Sequence, residues 1–235
     1  MTGILYLIPV PIGSENFRKA IPDEVINITL SLRHFIVEKV RSARRYLKLL
    51  DRDFPVDESV FYTLNENTPV KELYDFLQPL LEGHNVGLMS EAGIPCIADP
   101  GSMLVRMAHQ KGIKVIPLPG PSSIYLALAA SGLNGQKFTF NGYLPVKEDS
   151  LRKRLKELEK RSEGGEAQIF METPYRASRM LKYILETCNS ATYLCIAVDI
   201  TLPGEKIETK RIYEWKKNIP DLNDHLVIFI LQSAE

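Results

Sequence analysis

The stretch from Asn85 to Leu133, NVGLMSEAGIPCIADPGSMLVRMAHQKGIKVIPLPGPSSIYLALAASGL, leaves few folds open to this chain. An apolar run from Val86 to Met89 stops abruptly at Ser90-Glu91-Ala92-Gly93. Pro95, Asp99, Pro100 and Gly101 follow before a helical pattern resumes. A short apolar run bounded in this way reads as a buried strand entering a stiff loop. After one helix a second run, Ile113 to Leu118, ends at Pro119-Gly120-Pro121, and Ser122 stands where it can cap the next helix. Strands separated by a helix belong to a parallel sheet, and the loops at their carboxyl ends are where such sheets bind ligands.

The same rhythm runs back to the start. Ile4 to Ile8 is a strand ended by Pro9-Val10-Pro11-Ile12-Gly13, because proline has no ladder donor. A helix over Asp23 to Leu32, a short strand over Phe35 to Val37 and a helix from Arg41 to Leu50 follow. Ser59 to Leu64 is a strand, and Thr68 is placed to cap a helix that has Pro69 in its first turn and ends near Leu81. From Lys137 the rhythm changes. The strand Phe138 to Tyr143 leads to a charged helix near Asp149 to Arg161, then to a strand over Ala167 to Met171, a helix to Glu186 and a strand over Thr192 to Val198. Two late strands, Lys206 to Tyr213 and His225 to Leu231, are expected to pair antiparallel with one another. The expectation is therefore an α/β protein of two domains, residues 1–118 around a mainly parallel sheet and residues 119–235 around a mixed one.

Composition narrows the function. Basic and acidic residues number 29 each, so nothing like the global positive field of a non-specific nucleic-acid binder exists, and any RNA contact must be local. One such patch is present: Arg41, Arg44, Arg45, Lys48 and Arg52 make either a solvated basic face or a phosphate-binding one. Cys96, Cys188 and Cys195 share no metal spacing, and His34, His84, His109 and His225 are scattered, so no metal site is expected. No apolar segment approaches the ~20 residues a bilayer requires, and a cytoplasmic protein is expected. Walker, Rossmann and nucleophile-elbow patterns do not occur. The strand-ending loops instead offer backbone polar groups with little charge, which suits a zwitterionic, purine-containing ligand better than a triphosphate. A methyl-sulfonium donor fits, since its in-line displacement depends mainly on positioning.

Taken in order, ILYLIPVPIG (Ile4 to Gly13), SEAGIPCIADPG (Ser90 to Gly101), IPLPGPSSIYLALAASGL (Ile116 to Leu133), NGYLP (Asn141 to Pro145) and ETPYR (Glu172 to Arg176) resemble the successive motifs of the tetrapyrrole methylase superfamily. Within it the chain is most similar to the branch that methylates cytidine 2′-hydroxyls of small-subunit ribosomal RNA. The resemblance implies S-adenosylmethionine as donor, bound between two α/β domains, and a homodimer. It assigns donor binding to Pro11, Ile12, Ser90, Glu91, Ala92, Gly93, Ile94, Ile97, Ser122, Ser123, Met171 and Thr201. Core packing is an equal role for Ile12, Ile97 and Met171. Lys39, Arg41 and Asn67 fall where the acceptor is bound, and Glu91, Glu38 and Arg41 are the candidates for acting on its hydroxyl.

The acceptor side departs from the branch. Its Glu-Asp-Thr-Arg-His is here Glu38-Lys39-Val40-Arg41-Ser42, its His-Glu-His-Asn is Leu64-Asn65-Glu66-Asn67, and its Glu-Leu-Thr-Lys is Asp199-Ile200-Thr201-Leu202. Three readings therefore stand: an RNA ribose methyltransferase, a methyltransferase for a tetrapyrrole or other small acceptor, and a donor-binding module without transfer. The basic segment speaks against the broad apolar trough that a tetrapyrrole needs.

Overall fold

In the computed structural model, which describes residues 2–13 and 16–234, β4 (Val86–Met89) is buried along its whole length. It lies between β1 (Ile4–Ile8) and β2 (His34–Val37), with β3 (Val60–Thr63) and β5 (Lys114–Pro117) at the edges. The order is β3-β2-β4-β1-β5, and every neighbouring pair is parallel. Side chains alternate between two cores, as a strand covered on both faces requires. Phe35 and Val37 join Ile8 and Met89 in one core, which is closed by α1 (Asp23–Ser31) and α2 (Val40–Leu50). Ile36 joins Leu5, Val86 and Leu88 in the other, beneath α3 (Glu72–Leu81) and α4 (Ser102–Gln110). Gly87 is small because its neighbours fill its place: a β-carbon there would lie 2.4 Å from Ile8 Cδ1.

Packing divides the chain into two compact units, Met1–Ser122 and Ser123–Glu235. The second unit contains α5 (Ser123–Ser131), β6 (Phe138–Tyr143), α6 (Glu148–Ser162), β7 (Ala167–Glu172), α7 (Pro174–Thr187), β8 (Tyr193–Val198), β9 (Lys206–Arg211), α8 (Ile212–Trp215) and β10 (Val227–Gln232). Its sheet has the order β6-β7-β10-β8-β9, parallel only between β6 and β7. Val227, Phe229 and Leu231 of β10 face the core under α6, α7 and α8, while Ile228 and Ile230 face α5. The expected α/β architecture, with one parallel and one mixed sheet, is the one observed.

Two local expectations are corrected. The helix after β3 starts at Glu72 rather than Pro69, because the Thr68 hydroxyl accepts the Asn65 N–H (2.9 Å) and Glu72 N–H closes a turn onto Pro69 C=O (2.9 Å). The two late strands do not pair with each other. Both run antiparallel to β8, one on each side of it, and β10 also pairs with β7. Five β10 residues, Val227 to Leu231, are apolar and buried, so the strand takes the doubly covered centre, while β9, rich in charge, takes the edge.

The ETPYR motif resolves into an ion pair. Glu172 at the end of β7, with a fully buried side chain, accepts Arg176 Nη2 at 2.6 Å and the Thr173 backbone N–H at 2.7 Å. Arg176 also reaches the Leu144 carbonyl at 3.5 Å, which ties NGYLP to the start of α7. Removing the cation would leave a buried carboxylate without its partner. Arg176→Ala is expected to cost about 3–5 kcal/mol in urea unfolding, and Glu172→Gln in the same background to restore part of it. A loss below about 1 kcal/mol would mean that solvent already compensates the pair.

Candidate functional site

The carboxyl edge of the first sheet is held by backbone contacts between loops. After β1 the chain turns through Pro9, and Val10 pairs with Gly93 in a two-bond bridge, Val10 N–H to Gly93 C=O at 2.9 Å and Gly93 N–H to Val10 C=O at 3.0 Å. The loop after β5 closes onto the first: a β-carbon on Gly120 would stand 2.2 Å from Pro9 Cβ. Gly93 has φ +73°, and only Pro121 O would come within 4 Å of its β-carbon, at 3.6 Å. The Ser90 to Gly101 loop carries three further left-handed residues, Cys96, Ala98 and Gly101. Such turns hold the peptide groups in one arrangement at a local energetic cost.

Charge gathers at the ends of β2 and β4. The Ser42 hydroxyl donates to Glu91 Oε2 at 2.9 Å, and Lys39 Nζ lies 3.5 Å from the same oxygen. Two of the positions at which the acceptor motif departs from the RNA-modifying branch, Lys39 and Ser42, therefore engage one carboxylate. Beside them the half-buried Asp99 has its carboxyl pushed up to about 6. Burial is the main cause, a hydrogen bond from Ser90 opposes it, and the negative charges of Glu38 and Glu91 add to it. Burial and Asp99 together push the Cys96 thiol up to about 11. Among the described residues, no set of three or more His, Cys, Asp and Glu side chains is arranged to hold a metal ion.

The first unit brings most of the sequence-derived residues to this edge. Pro11 and Ile12 are half-buried just beyond the Val10 bridge, Ser90 and Ile94 are half-buried, and Glu91 and Ala92 are exposed. Ile97 is 44% exposed, so it does not serve the core. Glu38 and Lys39 directly follow β2, and Arg41 is exposed in the first turn of α2. Asn67 sits in the turn after β3, where its N–H donates to Asn65 Oδ1 at 2.9 Å. α5 begins at Ser123, which leaves Ser122 at the position before it. Met171 and Thr201 belong to the second unit. Met171 packs against the core under α5, as its packing role requires. Thr201 has φ +72°, with its N–H on Glu205 Oε2 at 2.7 Å.

The family model for tetrapyrrole (corrin/porphyrin) methylases matches residues 29–216. The chain belongs to this family. As a tetrapyrrole methylase it is a methyltransferase, and the family implies S-adenosylmethionine as donor. A "Ribosomal RNA small subunit methyltransferase I" from Vibrio cholerae is 32% identical over 205 residues, 87% of this chain and 67% of that protein. A protein of the same name from Thermotoga maritima is 34% identical over 184 residues, 78% of each chain. The crystal structure of the methyltransferase CobJ superposes with a TM-score of 0.63 at 18% identity, covering 100% of this chain and 95% of that one, a likeness of fold.

Asp99 is the titrating group of this methylase that the sequence motif does not single out. It lies inside SEAGIPCIADPG, but its burial and its nearness to Glu38 depend on how the loop folds back over β2 and β4. Two outcomes check the edge. Gly120→Ala, which must displace the rigid Pro9 ring, is expected to cost about 1–3 kcal/mol in urea unfolding. Folding raises the proton affinity of Asp99, so this group stabilises the native state at low pH and loses that contribution as pH rises through about 6. Asp99→Asn should therefore raise Tm relative to the parent at about pH 8 and lose that advantage at about pH 4, as read by scanning calorimetry. The same difference at both would show that the carboxyl is not shifted.

Proposed function

We propose that this methylase transfers the methyl group of S-adenosylmethionine to a ribose 2′-hydroxyl of small-subunit ribosomal RNA. The observation that carries the reading is its identity with proteins named ribosomal RNA small subunit methyltransferase I, 32% over 87% of the chain for the Vibrio cholerae protein. A cytoplasmic homodimer is part of the same proposal, supported by the family resemblance.

The carboxyl edge fits the donor. Gly93 leaves room beside it, Gly120 lets the loop after β5 pack on Pro9, Ile97 and Ala92 present apolar surface, and the bridged loops offer fixed peptide groups. Pro11, Ile12, Ser90, Glu91, Ala92, Gly93, Ile94 and Ile97 would hold it, with Ser122, Ser123, Met171 and Thr201 in the same set. When bound, S-adenosylmethionine supplies an electrophilic methyl group. The protein must then align the acceptor oxygen and take up its proton. Lys39 and Arg41 carry the charge to orient acceptor phosphates, and Asn67 is an exposed amide in the turn after β3. Glu91 already accepts Ser42 and stands beside Lys39, so it suits anchoring the start of α2. Asp99, with a carboxyl raised to about 6, is the better-matched proton acceptor.

Labelled methyl transfer to deproteinised small-subunit rRNA tests this. The parent is expected to label ribose and to bind S-adenosylmethionine in calorimetry, with binding abolished in Gly93→Trp. The transfer rate should rise with pH through about 6 and then level off. Asp99→Asn should lower that rate by about 10²–10⁴-fold and remove the pH limb. Donor binding without transfer to any rRNA would overturn the acceptor, and absence of donor binding would overturn the whole reading.

A further inference from the structure

The exposed face of α2 has no explanation in the fold. Ala43, Leu47 and Leu50 bury its apolar side, which fixes the helix rotation and turns Arg41, Arg45 and Lys48 outward. Offsets of four and seven residues keep these three within about 60° of one another around the helix. Their rise along the axis is about 6 Å and then about 4.5 Å, the scale of neighbouring phosphates on a nucleic-acid strand. From Lys39 to Leu50 the sequence holds five cations and no acid, in a chain whose charges balance at 29 each.

The contrast with α6 lies in the acids: α6 interleaves Glu148, Asp149, Glu157 and Glu159 with its cations, whereas α2 carries none. There Arg152 pairs with Glu148 and Glu186, and Arg154 with Glu157. Among the described residues, Arg44 is the one cation of α2 with an acidic partner, Asp57, and it lies to the side of the row. Among the described residues Arg41 and Arg45 have no ion pair, and the Lys48 ammonium donates to the Arg52 carbonyl at 2.7 Å, a neutral group. The row also has a direction. It begins at the carboxyl edge of the sheet, where Ser42 of the same helix bonds Glu91 and Lys39 stands beside it.

We infer that the Arg41–Arg45–Lys48 row of α2 is a track for the phosphodiester backbone of a single RNA strand, leading toward the carboxyl edge of the first sheet. This rests on the RNA reading above and extends it to residues outside the candidate site. Arg45 and Lys48 act as positioning contacts that read charge rather than base identity. The occupant is an extended polyanion, because isolated phosphates would not use three cations spaced along one line.

The test is the salt dependence of binding to a 5′-labelled, mixed-sequence single-stranded RNA of about 20 nucleotides. Each lost phosphate contact should flatten the plot of log K against log salt by about 0.7, so Arg45→Gln/Lys48→Gln should flatten it by about 1.4. The control Lys153→Gln/Lys156→Gln on α6 should leave it unchanged. Both pairs sit on exposed helix surface, and equal Tm values would exclude misfolding. An unchanged slope in the α2 variant overturns the track, as does a loss confined to vesicles containing phosphatidylserine, which would assign the face to a membrane surface. Methyl transfer to rRNA by the parent is scored separately. Transfer with an unchanged slope would sink the track alone, and a flattened slope without transfer would sink the reaction alone.

Discussion

Two backbone hydrogen bonds between Val10 and Gly93 hold the carboxyl edge of the first sheet together. They join the loop after β1 to the loop after β4, the two strands at the middle of the parallel sheet. The bridge requires Gly93 to adopt a positive φ, a conformation that residues with a β-carbon enter only at a cost. It also requires Pro9 to end the strand one residue earlier. With the first loop pinned, Gly120 must be bare for the third loop to pack on the Pro9 ring. Three loops from β1, β4 and β5 thus become one surface, and backbone groups form it.

Electrostatics arrange the neighbouring side. Glu38, Glu91 and Asp99 bring three carboxyl groups to the ends of β2 and β4, and the charges of the two glutamates add to the burial that raises the Asp99 carboxyl. Glu91 has Lys39 and Ser42 beside it, whereas Asp99 has only the Ser90 hydroxyl to offset burial, so the strain of the group falls on Asp99. Two of the substitutions that set this chain apart from the RNA-modifying branch, a lysine for an acid at position 39 and a serine for a histidine at position 42, are coherent on this view. Both stabilise the same carboxylate and fasten the beginning of α2 to the loop after β4.

Much of this was legible before any coordinates. Apolar runs broken by Gly and Pro placed every strand to within two residues at either end, because buried strands must be apolar and proline ends a ladder. The motifs identified the carboxyl-edge loops and the family. Local rules failed where two local choices competed: Thr68 closes the Asn65 turn instead of capping a helix, since its hydroxyl accepts from the nearer N–H. They failed also where partners are distant in sequence, as for β9 and β10, whose pairing with β8 is chosen by which strand has both faces apolar.

The amino-acid sequence by itself determined the order of elements, the parallel character of the first sheet, the Gly- and Pro-rich loops that suit a methyl donor, and a run of cations along α2 with no acid among them. These are properties of neighbouring residues, written in period and composition. Only the tertiary structure decided that Lys39 and Ser42 meet Glu91, that Asp99 is half-buried within the field of two other acids, that Glu172 is a sequestered partner of Arg176, and that the cations of α2 face outward in one row. Those outcomes depend on which groups lose water and which charges end within a few ångströms, and a linear sequence does not carry either distance.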